Sequence, residues 1–212
     1  MKKNLLFTLG LSLLFSCQSF GFLSDKIEVD ENMTKTYKKV TNEVNVIKAL
    51  EIMNRTSGEY SKNAILGKNL TGKPIKIEFT NLSLINPIYA NFDALGWKKK
   101  KKLTIYINQK HKDAPPEALA ALLSHEAIHQ DEDNSINEET YAWTLEAAVW
   151  TQLAEDDPEL EKVSHPLVDR ENAIKTLFIR GNRTSEYIHK FVITNKGYQN
   201  LPERSVGFEE LL

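Results

Sequence analysis

The sequence predicts an α+β fold: a small sheet, a helix with a strongly apolar face, and a mostly helical C-terminal half. Three observations carry that expectation. Two short segments, Lys73-Pro74-Ile75-Lys76-Ile77-Glu78-Phe79-Thr80 and Leu103-Thr104-Ile105-Tyr106-Ile107-Asn108, alternate apolar and polar residues with the period of a strand. Apolar residues recur at helical spacing from Val44 to Met53, and again along the alanine- and leucine-rich run that follows Asp113. With 212 residues, 41% of them hydrophobic, the chain has enough apolar material for one compact core.

Residues 1–21 read as an export signal. Lys2 and Lys3 precede an apolar run from Leu5 to Phe15, too short for the roughly 20 apolar residues that span a bilayer but of signal-peptide proportions. Cys17 closes the run in Leu14-Phe15-Ser16-Cys17, which resembles a bacterial lipobox, so cleavage before a lipidated Cys17 would attach the chain to a membrane. Ordinary cleavage after Ser19 or Gly21 is the other reading. Either way the expectation is an exported protein, in the cell envelope or secreted, with residues 22–212 as one folded domain. As Cys17 is the sole cysteine, that domain must stand without a disulfide. The formal net charge of −2 excludes the basic footprint of a nucleic-acid-binding protein.

Within the domain, residues 25–43 form a polar lead-in, extended or partly helical. The stretch between the two expected strands, with Pro87, Gly96 and Trp97, reads as loop. The run Lys98 to Lys102 reads as a solvated turn beside an edge strand, where charge discourages aggregation. Asp113-Ala114-Pro115-Pro116 starts a helix, because proline is tolerated in a first turn, and Glu117 suits the positive end of the dipole. The helix-forming run continues to Ile128 and contains Ser124-His125-Glu126-Ala127-Ile128-His129.

Histidines at i and i+4 on a helix share a face, so His125 and His129 can reach one tetrahedral ion at about 2.0–2.1 Å. Glu126, rotated by about 100° from His125, can sit beside that ion and take a proton from a water. The bare pattern arises by chance in roughly one such chain per hundred, but here it falls on an expected helix, after a strand, in an exported chain.

A catalytic zinc needs a third protein ligand, and no histidine follows within reach of His129. Ser135 and Glu138 have capping-box spacing, so a second helix is expected to start at Ser135 with Glu138 folded back onto it. That leaves Glu139 as the freer carboxylate and preferred third ligand, with Glu138 and Glu146 as rivals. Further along, Trp143 and Trp150 share a helix face that reads as core. Asp156-Asp157-Pro158 ends that helix, and Val168 to Ile179 and Glu186 to Ile193 are two further amphipathic helices.

The region 103–146 resembles the gluzincin zinc metallopeptidases, in which a helical His-Glu-x-x-His is completed by a glutamate opening Glu-x-x-Ala-Asp or Glu-x-x-Ser-Asp on the next helix; here the segment is Glu139-Thr140-Tyr141-Ala142-Trp143. The resemblance implies a zincin-like fold and a Zn2+ ion held by His125, His129 and Glu139. It further implies Glu126 as catalytic base, a peptide or protein substrate, and a strand edge over Leu103–Asn108 that pairs with it. The alternative is a non-catalytic metal- or peptide-binding envelope protein. Two departures stand out: the gap from His129 to Glu139 is short for the group, and Trp143 replaces the aspartate that orients a ligand histidine. That role would pass to Asp131, Asp133 or Glu146. For an oxyanion-stabilising side chain, His165, His189, Tyr187 and Tyr198 are the candidates.

Overall fold

The computed structural model describes residues 22–99 and 102–209, so the leader with Cys17 lies outside the described residues, as do Lys100 and Lys101. Its N-terminal helices are α1 (Glu31–Tyr37), α2 (Val44–Met53) and α3 (Glu59–Ile65); the bounds of α2 are those its apolar spacing predicts. Asp30 caps α1 by accepting the Met33 N–H at 2.7 Å. The mixed sheet has β1 (Lys76–Thr80), β2 (Ala94–Lys99) and β3 (Lys102–Asn108) in the order β1-β3-β2, with β1 parallel and β2 antiparallel to β3. The rest is helical: α4 (Pro116–Glu126), α5 (Ile136–Asp156), α6 (Pro166–Arg180), α7 (Glu186–Thr194) and the short α8 (Val206–Glu209). The fold is α+β and mostly helical.

Two sequence expectations need correction here. Residues 94–99, read as loop and turn, form β2, which pairs with β3 from Ala94↔Ile107 to Lys99↔Lys102. Ala-Leu-Gly-Trp-Lys-Lys has no period-two pattern, and this segment is extended because β3 supplies its hydrogen bonds. As a consequence β3 is the central strand, with both edges taken, and cannot be the open edge expected over Leu103–Asn108. The edge strand on that side of the sheet is β2.

One face of α4 holds the core together. Leu119, Leu122 and Leu123 are fully buried in one apolar cluster with Ile47, Leu50 and Met53 of α2 and Ile105 and Ile107 of β3. Each such side chain contributes about 1.5–3 kcal/mol by burial. The hydroxyl of Ser61 on α3 donates to the Ser124 carbonyl at 2.7 Å, which ties α3 to the same helix. On the far side, Ile174, Phe178, Ile188 and Val192 form a second apolar cluster where α6 and α7 pack on α5.

α4 also stops earlier than its helix-forming run suggests. Its last helical residue is Glu126, and the Ile128 N–H bonds the His125 carbonyl at 2.9 Å, a tightened final turn. Gln130, almost fully buried, pins the exit: its amide donates to the Ala127 carbonyl at 3.1 Å and its oxygen accepts the Leu70 N–H at 3.1 Å. His129 therefore lies past the helix end, not on it.

Candidate metal centre

Although His129 has left the helix, the tight turn returns its ring to His125, with ring centroids 5.2 Å apart. Glu139, in the first turn of α5, comes up against both. Its Oε2 is 3.7 Å from His125 Nε2 and its Oε1 is 3.7 Å from His129 Nε2. One ligand atom from each of the three residues lies within 4.8 Å of the others, an arrangement that can hold a metal ion. Ligands at about 2.0–2.1 Å from a tetrahedral ion sit roughly 3.4 Å from one another, so a small inward adjustment suffices. Glu139 Oε2 is buried and has no hydrogen-bond partner, a costly state for a carboxylate oxygen unless a cation completes it.

The other ring nitrogens face carboxylates. His129 Nδ1 donates to Glu138 Oε1 at 2.8 Å, and His125 Nδ1 lies 2.9 Å from Glu146 Oε2, a close contact without hydrogen-bond alignment. Both imidazoles thus turn Nε2 toward Glu139 and Nδ1 toward a buried acid, the orientation that metal-ligating histidines adopt.

Ser135 caps α5 as its spacing predicts, accepting the Glu138 N–H at 3.1 Å. The return half of the box does not form. The Glu138 carboxylate is buried with His129 and Ser205, whose hydroxyl donates to Glu138 Oε2 at 2.9 Å, while the Ser135 N–H bonds Asn134 Oδ1 at 2.7 Å. A partially buried imidazole offers Glu138 a stronger partner than a backbone amide that Asn134 already satisfies.

Glu146 is held by Arg170, whose Nη1 and Nη2 reach its two oxygens at 2.5 and 3.1 Å. The same guanidinium contacts Glu171 at 2.8 Å and Asp93 at 3.3 Å, and its centre stands 4.6 Å over the Trp143 ring. Asp93 continues to His111 Nε2 at 2.7 Å. Burial pushes Glu146 up, but Arg170 and then His125 outweigh it and leave the carboxyl below the usual glutamate range. For Glu171 the balance goes the other way: burial and the neighbouring Glu146 outweigh Arg170 and raise it well above that range.

Glu126 lies beside the triad without joining it. Its Oε2 accepts the Gly96 N–H of β2 at 2.6 Å, and burial raises its pKa against the pull of His125 and His129. The approach of β2 depends on glycine: a Cβ at position 96 would stand 2.9 Å from the Glu126 carbonyl oxygen and 3.0 Å from His129 Cβ. The sequence reading placed Gly96 in a loop and missed this contact.

These groups open into a cleft of about 650 Å³. Its lining includes Tyr89 and Phe92, the acidic Asp131, Glu132 and Asp133, and Tyr198 and Leu201. The expected tryptophan stripe divides. Trp150 is fully buried core, whereas Trp143 lines the cleft edge-on to His125 at 5.0 Å. Among the oxyanion candidates, Tyr198 lines the cleft, accepts the Trp143 indole N–H at 3.1 Å, and is raised by burial and by the charge of Glu139. His165 instead caps α6 through Leu167 N at 3.0 Å, His189 contacts Thr140 at 3.1 Å, and Tyr187 stacks under Arg180 and Lys190. Asp131 accepts the Asp133 N–H at 2.7 Å, and both line the cleft rather than bracing a histidine. Arg170 and Ser205 were not singled out by sequence reasoning, since nothing in their local spacing marks them. No protein-family model, curated protein or solved structure matches the chain, so the site's geometry carries the functional reading alone.

Proposed function

We propose that this chain is an exported zinc-dependent peptide hydrolase of zincin-like architecture, attached to the envelope if Cys17 is lipidated. His125, His129 and Glu139 hold the metal and Glu126 is the general base. The observation that carries the reading is the convergence of both Nε2 atoms on Glu139, with Glu139 Oε2 buried and unpartnered and both Nδ1 atoms set against carboxylates. Two imidazoles and one carboxylate, with room beside them, match the donor set of a catalytic rather than a structural zinc site.

When bound, the zinc ion supplies Lewis acidity toward a water and a peptide carbonyl. Gly96 fixes one oxygen of Glu126, leaving the other to accept a proton from water and pass it to the leaving amine. A glutamate whose pKa is raised by burial suits that exchange near neutral pH. The Tyr198 hydroxyl, kept protonated by its surroundings, is a donor for the charge that develops on the carbonyl oxygen. The outer edge of β2, rather than β3, is the backbone along which an extended peptide would pair, beyond the Gly96 N–H that Glu126 holds.

The test is Glu126→Gln. It should keep zinc and fold while lowering peptide hydrolysis by about 10²–10⁴-fold, because an amide accepts no proton. Loss of zinc in Glu126→Gln would make Glu126 a ligand. A wild-type chain that binds zinc yet cleaves no peptide in a diverse library would leave the non-catalytic metal-binding reading.

A further inference from the structure

The C-terminal segment reaches back to the metal site from the far end of the chain. Its backbone completes the start of α5: the N–H groups of Ile136 and Asn137 donate to the carbonyls of Pro202 and Glu203 at 2.9 and 3.1 Å. These are two of the four first-turn donors that a helix cannot satisfy internally. Three residues on, Ser205 is almost fully buried although Glu203 and Arg204 before it and Val206 after it are exposed. Its hydroxyl donates to Glu138 Oε2 at 2.9 Å and lies 3.2 Å from the Ser135 hydroxyl. Phe208 anchors the end of the strap against Ile128 and Ala142, with its ring 5.5 Å from that of Tyr141.

We infer that this strap, residues 202–208, is a positioning element for the metal site, acting from Ser205 through Glu138 to His129. The inference rests on the reading of His125, His129 and Glu139 as metal ligands. Its physical basis is the position of His129. That residue has no helix to hold it, so its ring direction depends on the Nδ1 contact with Glu138 Oε1 at 2.8 Å. Glu138 can hold the ring only while its other oxygen is fixed, and Ser205 makes that bond. The strap also fastens the two residues that precede Glu138 and Glu139 on α5, so a ligand and the brace of another ligand depend on one docking event.

Zinc affinity of the full chain, read by competition with a chromophoric chelator, tests the idea, alongside the visible spectrum of the cobalt-substituted protein. Ser205→Ala should weaken zinc binding about ten-fold, the low end of the effect of removing a group that orients a ligand, and should shift the cobalt bands. Ser205→Thr, which keeps the hydroxyl, should restore most of the affinity. Glu203→Ala, which alters only an exposed side chain, should match wild type. Melting of the zinc-free proteins shows whether each variant is folded. If wild type binds zinc and Ser205→Ala binds it within two-fold as tightly, or Ser205→Thr is no better than Ser205→Ala, the strap has no positioning role. If wild type itself binds no zinc, the metal reading fails and this inference fails with it.

Discussion

Toward α2 and the sheet, α4 presents Leu119, Leu122 and Leu123 to aliphatic neighbours, all excluded from solvent. One turn later, toward α5 and α6, it presents His125 and Glu126 to a cluster made largely of ionisable groups: Glu138, Glu139, Glu146, Arg170 and Glu171. The first region is the arrangement that stabilises a small domain. The second opposes stability, since each buried charge must recover its lost hydration from a partner. Five carboxylates (Glu126, Glu138, Glu139, Glu146, Glu171) surround His125, His129 and Arg170, and burial raises Glu126 and Glu171 toward their neutral forms. Glu139, set between the two imidazoles with one oxygen buried and unpartnered, is where a cation would fit.

The comparison is broken or sharpened most strongly by deleting one member from each region. Arg170→Met leaves Glu146, Glu171 and Asp93 without their shared partner and should cost about 3–5 kcal/mol of stability, while weakening zinc binding by loosening the Glu146 brace on His125. Leu122→Ala should cost about 2–5 kcal/mol through a cavity and a lost transfer free energy, yet leave zinc affinity unchanged. Denaturant unfolding and zinc titration of both variants decide the matter. Equal losses of zinc affinity would mean that the two regions are not separable.

A smaller effect is expected where the regions meet at β2. Gly96→Ala places a methyl 2.9 Å from the Glu126 carbonyl oxygen and should destabilise by about 1–3 kcal/mol through overpacking. Hydrolysis should fall more than zinc binding does, since the Gly96 N–H holds the base. A fully active Gly96→Ala would show that β2 does not position Glu126.

A further difference concerns pH. Burial opposes charge on His129, but Glu139, Glu138 and Glu126 outweigh it and raise its pKa from 6.5 to about 9 in the metal-free protein. A group raised in this way contributes stability that is fully present below pH 6.5 and is lost as pH rises through about 9. A metal ligand must be neutral, so zinc binding displaces that proton and removes this dependence. The urea midpoint of chelator-treated protein should therefore fall from pH 6.5 to above pH 9, and that of zinc-loaded protein should not. Parallel pH profiles for the two forms would contradict the assignment of His129.

Much of this was legible in the chain. Period-two alternation identified β1 and β3, apolar spacing gave α2 to the residue, and the cap at Ser135 set the start of α5. Glu139 lies against both histidines as expected, although the ground given for it, a Glu138 folded back onto its own helix start, does not hold. What stayed hidden depends on contacts distant in sequence. β2 exists through its pairing with β3, and the Glu138 carboxylate left its helix end because His129 and Ser205 offered better partners. Glu146 was among the carboxylates expected to orient a histidine, and it lies against His125 Nδ1; the Arg170 that holds it, on another helix, was not legible. Local spacing brought His125, His129 and Glu139 together with Glu138 and Glu146; Ser205 and Arg170, which hold those last two, lie farther along the chain.

The metal site is tested most directly by the metal content of the chain purified without added zinc, measured by elemental mass spectrometry on wild type, Glu139→Gln and Glu138→Gln. The account predicts about one zinc per chain in wild type and near zero in Glu139→Gln, where a ligand is lost. Glu138→Gln should retain metal but bind it about 10- to 100-fold more weakly, because only the brace on His129 is altered. A metal-free wild type, or full occupancy in Glu139→Gln, would contradict it.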